Sequence, residues 1–159
     1  MKKLIETKDL RQVFGEKSVV GFFLAPALMK WMKLDKINKL YDKVADFQGR
    51  DCLEAFLAEM RISYEIPASD LANLPKEGPF ITVSNHAYGG LDGIILMHLI
   101  SDERPDLKII VNFLLSRIKP LQEFFLPVNA FDKSVSSRSS IKGIRLAKES
   151  LEKGNPLGL

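Results

Sequence analysis

The residues best suited to chemistry lie in one stretch, Ser84-Asn85-His86-Ala87-Tyr88-Gly89-Gly90-Leu91-Asp92. It separates an apolar run that reads as a strand from one that reads as a helix. In open parallel sheets, ligand-contacting residues gather beyond the carboxyl ends of the strands. His86 is therefore expected where a substrate arrives. Asp92 follows six positions later, across a loop made pliable by Gly89 and Gly90. If the loop folds back, the carboxylate meets one imidazole nitrogen, fixes the tautomer and stabilises the imidazolium. The other nitrogen is then free to accept a proton. A helix start also favours an anion at Asp92. The pattern predicts a His–Asp pair acting as general base on a hydroxyl. Taken singly, Asp92 is an ordinary helix cap, His86 a loop histidine and Gly89-Gly90 a turn. The combination behind a buried strand is what points to catalysis.

No protein nucleophile accompanies the pair. There is no Gly-x-Ser-x-Gly elbow, and neither a P-loop nor a Gly-x-Gly-x-x-Gly pattern. Cys52 falls in a helix far upstream, beside an apolar stripe, and reads as an inert packing residue. As the lone cysteine of the chain it rules out an internal disulfide and a Cys-rich metal site. With only two histidines, a conventional zinc site would need carboxylates to complete it. His98 lies inside an apolar helix, with no carboxylate at a spacing that faces it, and reads as structural. Such a pair suits direct attack by a substrate hydroxyl or by water.

The elements that must position this loop follow from periodicity. Phe80–Ser84 reads as a buried strand, Asp92–Ile100 as an apolar helix and Leu107–Val111 as a second buried strand. Phe113–Phe125 is helical in parts and broken at Pro120. Leu126–Phe131 is a third strand. Ser136–Lys153 is a helix with Ile141, Ile144, Lys148 and Leu151 at helical spacing, stopped by Gly154. Asn155–Leu159 starts a further strand. Strands alternating with helices predict an α/β fold with a mostly parallel sheet and flanking helices. Upstream, residues 35–46 and 50–61 carry amphipathic helical spacing. Ile62, Tyr64 and Ile66 alternate as a short strand ended by Pro67. The expected organisation is a helical segment over 1–61, of a kind that could associate with a membrane, and an α/β domain over 62–159. A sheet that stops where a strand starts suggests the N-terminal part of a longer protein.

Charge is uneven. Residues 1–50 hold eleven Lys/Arg against six Asp/Glu, and residues 51–159 hold twelve against fourteen. The net +3 is too small to make nucleic acid the default partner. The basic third also contains the longest apolar run, Val19–Met29. Eleven residues cannot cross a bilayer, which takes about 20 in a helix. The run is either a core helix or a helix lying on a membrane surface. In the second case Phe22, Phe23, Leu24, Leu28, Trp31 and Met32 dip in, while Lys30, Lys33, Lys36 and Lys39 meet anionic head groups.

Asn85-His86, five intervening residues and Asp92, with a strand before and a helix after, resemble the first signature of the glycerolipid (lysophosphatidate-like) acyltransferase family. That signature more commonly has four intervening residues; the five-residue spacing is a variant of it. Leu126-Pro127-Val128-Asn129-Ala130-Phe131-Asp132-Lys133 resembles the second, with Lys133 where Arg is more usual. Lys133 would help hold the acceptor as a point charge and not as a bidentate fork; it can equally be a plain surface charge. The third signature, Phe-Pro-x-Gly, would follow a strand soon after Gly154, about where the chain ends.

The resemblance implies an O-acyltransferase that moves a fatty acyl group from acyl-CoA or acyl carrier protein to a hydroxyl. The acceptor would be a lysophospholipid or a lyso-aminolipid, at the cytoplasmic face of a membrane, with the protein held peripherally. His86 and Asp92 would be catalytic and Lys133 substrate-binding; no metal or cofactor beyond the acyl carrier is implied, and no nucleic acid. Backbone N–H groups of the Gly89-Gly90 loop or the helix start would receive the oxyanion. A thioesterase or lipid hydrolase using the same pair on water, and a non-catalytic membrane-binding module, remain open alternatives.

Overall fold

The computed structural model describes residues 2–13, 19–128 and 138–159. The chain divides into two compact units, residues 1–46 and residues 47–159.

The first unit contains helices α1 (Thr7–Val13), α2 (Val19–Trp31) and α3 (Leu34–Val44). α1 packs on α2, and α2 on α3. Ala25, Met29, Leu34 and Val44 are buried. The chain turns from α2 into α3 at Lys33, which takes a left-handed conformation with φ 53°. Asn38 is the buried polar residue of α3. Its Oδ1 accepts the N–H groups of Leu4 and Ile5, each at 2.9 Å, and its Nδ2 donates to the Ile5 carbonyl at 2.7 Å. One amide side chain thus satisfies the backbone of a bend that belongs to no helix or strand. Lys2 pairs with Asp46 and closes the unit.

The second unit comprises α4 (Gly49–Met60), α5 (Ala68–Leu71), β1 (Ile81–Thr82), α6 (Gly90–Glu103), β2 (Lys108–Asn112), β3 (Phe125–Val128), α7 (Arg138–Glu152) and β4 (Leu157–Gly158). Two 3-10 turns, Phe113–Arg117 and Lys119–Leu121, link β2 to β3, with Pro120 inside the second. Among the described residues the four strands form one sheet in the order β1-β4-β2-β3. All three pairings are parallel: Ile81 lies opposite Leu157, Ile109 opposite Gly158, and Ile109 to Asn112 opposite Phe125 to Val128. Parallel pairing requires crossovers: α6 lies between β1 and β2, the two 3-10 turns between β2 and β3, and α7 between β3 and β4. The α/β fold expected from the sequence is the one observed. α4 packs on α6, so this helix groups with the sheet, whereas the sequence pattern placed it in the N-terminal segment.

Three local expectations differ from the structure. Residues 62–66 form no strand. Ile62, Tyr64 and Ile66 are half-buried while Ser63 and Glu65 are exposed, so the alternation marks an inward side without a ladder. Period-two burial needs only an extended chain; a strand also needs a neighbour's backbone. β1 is a two-residue strand at the end of the sheet order, and Ile81 and Val83 are 54% and 74% exposed instead of buried. On α7 the inward face is Gly143, Ala147 and Ser150, whereas Ile141 and Ile144 are exposed. The helix lies too close to β3 for larger side chains. A Cβ on Gly143 would stand 2.4 Å from Val128 Cγ1 and 2.9 Å from the Pro127 carbonyl oxygen.

Candidate active site

Arg104 fixes the start of the strand that leads to His86. It is a buried side chain at the C-terminal end of α6. Its Nε and Nη2 make a two-pronged bond to Asp106 at 2.9 and 2.7 Å. Nη1 donates to the Gly78 carbonyl and Nη2 to the Gly154 carbonyl, both at 2.8 Å. Gly78 and Gly154 have φ of 76° and 91°, a region L-residues rarely adopt, and they precede β1 and β4. One guanidinium therefore pins the entrances of both strands. The same bond raises the Arg104 pKa and holds the Asp106 carboxyl below the usual range. Arg104 is buried and Asp106 partly exposed, so losing the carboxylate would leave a buried cation held by carbonyl groups alone.

β1 ends at Thr82, and the chain runs through Ser84 and Asn85 to His86. The loop then closes on itself. The Gly89 N–H donates to the His86 carbonyl at 3.4 Å, and the Asp92 N–H to the Gly89 carbonyl at 3.2 Å. Asp92 Oδ2 accepts the Tyr88 N–H at 2.8 Å. Gly89 sits at φ 63°, ψ −128°, a conformation open to glycine. It caps α6, whose first turn carries Asp92. The carboxylate thus belongs to the third helical position and not to the cap. His86 is exposed and Asp92 half-buried. Among the described hydrogen bonds none joins the two. Catalytic hydrogen bonds are often long or unmade before substrate binds and tighten afterwards.

Lys133, the residue matched to the second signature, lies outside the described residues. Beside β1 runs an open groove of about 420 Å³, walled by Ile66, Leu71, Leu74, Phe80, Val83 and Leu99. Among the described residues no group of three or more His, Cys, Asp or Glu side chains converges as a metal site would require. Cys52 is buried, and desolvation pushes its thiol up to about 11; its thiolate is thereby disfavoured.

The other histidine has partners that its helical spacing half concealed. His98 Nδ1 is 2.6 Å from the Tyr64 hydroxyl, with the two rings edge to face. Burial lowers the His98 pKa, assisted by Arg50 and opposed by Glu54 and Asp102. Asp102 is one turn along the same helix, so a carboxylate does act on this ring, contrary to the sequence expectation. Tyr64 could not have been found as the partner from local spacing, because 34 residues separate it from His98.

An all-parallel sheet whose edge strand delivers a His–Asp loop to a helix start is an α/β arrangement suited to acyl transfer. The chain belongs to the acyltransferase family, which it matches over residues 14–152. Two curated relatives carry the name lyso-glycine lipid O-acyltransferase. The one from Bacteroides thetaiotaomicron is 31% identical over 132 residues, covering 82% of this chain and 46% of the relative. The one from Phocaeicola vulgatus is 28% identical over 131 residues, covering 81% and 44%. The chain therefore spans just under half the length of these relatives. No solved structure matches it significantly.

Proposed function

We propose that the protein transfers a fatty acyl group from a thioester, acyl-CoA or acyl carrier protein, to the hydroxyl of a lysolipid, with a lyso-aminolipid of the glycine type as acceptor. The observation that carries this reading is the closed His86–Asp92 loop at the end of β1, in a chain whose relatives are named for that chemistry. His86 takes the acceptor hydroxyl proton as its oxygen attacks the thioester carbonyl. Asp92 orients the ring and balances the imidazolium. The tetrahedral intermediate then collapses, the carbon–sulfur bond breaks, and the departing thiolate takes the proton back from His86. The oxyanion needs preorganised donors. Tyr88 and Gly89 have their N–H groups engaged, which leaves those of Gly90 and Leu91 at the start of α6. Lys133 supplies a positive charge for the acceptor head. No metal takes part.

The membrane surface supplies the acceptor, and the protein meets it peripherally from the cytoplasmic side. Support comes from the first unit, where Phe22, Phe23, Trp31 and Met32 are exposed together with Lys30, Lys33, Lys36 and Lys39. Among the described residues no helix is long and apolar enough to cross a membrane.

The test is acyl transfer from a labelled thioester to a lysolipid by the intact protein. A folded His86→Ala variant is expected to lose at least about 100-fold in rate, the scale of a general base. Asp92→Asn is expected to lose nearly as much. A near-normal rate in His86→Ala overturns the mechanism, and fatty acid release independent of acceptor makes the protein a hydrolase.

A further inference from the structure

Between His86 and Asp92 stand Ala87, Tyr88, Gly89, Gly90 and Leu91. Two are glycines, one is alanine, and Leu91 is half-buried. Tyr88 is the one large side chain that this segment presents to solvent. It is 78% exposed, a value matched only by Trp31 among the described large apolar residues. Its main chain is nonetheless held firmly. Its N–H donates to Asp92 Oδ2, and it sits inside the turn closed by Gly89 N–H on the His86 carbonyl. The ring is therefore an exposed aromatic on an anchored backbone, two residues from the proposed base.

We propose that Tyr88 is a specificity-determining contact for the acyl acceptor. This rests on the acyl-transfer reading above. The free N–H groups at the start of α6 suit the thioester carbonyl of the donor. The acceptor hydroxyl must reach His86, two residues along the chain from the exposed Tyr88. A lysolipid has a hydrocarbon chain next to a polar head. A phenol offers an apolar face for the first and a hydroxyl for the second. Holding the backbone in advance lowers the ordering cost of that contact. The same N–H bond ties the acceptor contact to Asp92, so substrate seating and orientation of the base share one turn.

Steady-state kinetics of the intact protein test this, with a monoacyl glycine lipid in detergent micelles as acceptor and an acyl-CoA as donor. Tyr88→Ala is expected to raise the acceptor KM about tenfold, on the scale of a single aromatic contact. The kcat and the donor KM stay within about threefold, the signature of lost binding and not of lost chemistry. Tyr88→Phe, which keeps the ring face and loses the hydroxyl, raises the acceptor KM by less than Tyr88→Ala does, and Tyr88→Gln repeats the Ala result in case Ala disturbs folding. An unchanged acceptor KM in both Tyr88→Ala and Tyr88→Gln overturns the proposal. So does a fall in kcat alone, which reduces Tyr88 to a part of the loop's fold. So does a loss of vesicle binding with micellar KM intact, which makes the ring a membrane contact. His86→Ala run in parallel keeps the two ideas apart. If that variant stays active the acyl-transfer mechanism fails; if it is dead while Tyr88→Ala behaves as parent, only the present inference fails.

Discussion

His98 shows how one ring's surroundings become a pH dependence of the whole fold. Its Nδ1 meets the Tyr64 hydroxyl, and its Nε2 is buried without a hydrogen-bond partner among the described residues. In the charged ring both nitrogens carry protons, and the one on Nε2 would have no acceptor. Burial, with Arg50 nearby, accordingly lowers its pKa from 6.5 in the folded protein. Between the lowered folded value and the ordinary unfolded one, the unfolded chain binds more protons. Stability is then full above about pH 6.5 and falls as pH drops through the folded value. Urea unfolding at pH 7.5 and 5.5 should show this loss, and His98→Gln should flatten it. An equal pH response in the variant would assign the effect to other groups. Tyr64 adds nothing below pH 8, because burial moves its pKa upward.

At the scale of elements, close approach is decided by small residues. α7 meets β3 at Gly143, on a buried face that continues through Ala147 and Ser150, and β4 passes β2 with Gly158 paired to Ile109. A Cβ at Gly158 would lie 2.2 Å from Ile109 Cδ1. Gly143→Val should therefore cost about 1–3 kcal/mol, since the Pro127 carbonyl is backbone and cannot swing aside. Gly93 in α6 has nothing within 4 Å of its added Cβ. Gly93→Ala should raise stability by about 0.5–1 kcal/mol through helix propensity alone. Thermal or urea unfolding of the two variants checks both signs together. If Gly143→Val is neutral, the helix can back away from the sheet and the tight contact is not required.

For the whole molecule, the uneven charge has a direct consequence. The four lysines of the α2–α3 region are exposed, as are Phe23, at 70% exposure, and Trp31. A membrane met by this unit would feel both apolar insertion and Coulombic attraction. Binding to anionic vesicles should weaken as salt rises, because exposed charges are screened over about 8–10 Å at 0.1–0.15 M salt. Replacing Lys30, Lys33, Lys36 and Lys39 by Gln should weaken binding more than the same change at Lys142, Lys148 and Lys153, which are also exposed. Vesicle co-sedimentation measures this. Equal losses from both sets would put the membrane-facing surface elsewhere.

Local pattern alone was enough to place most elements, because the 3.6-residue period and the stop signals at Gly and Pro act within a few residues. α3, α4, α6 and the strands from Lys108 and Leu157 fall close to where periodicity put them. The His86–Asp92 segment was legible for the same reason: its residues are neighbours in sequence, and a strand-to-helix loop is a local feature. Pairing and facing were decided elsewhere. The extended run at 62–66 finds no neighbouring backbone, and α7 turns Gly143 inward because of where β3 lies. The order β1-β4-β2-β3 sets Leu157 beside Ile81 across more than seventy residues, and Arg104 joins carbonyls 26 and 50 positions away. Such contacts depend on distances between elements, which no local period encodes. Even the Tyr88 N–H bond to Asp92, only four residues long, required the backbone of Gly89 to take a conformation that the identity of the residue permits but does not impose.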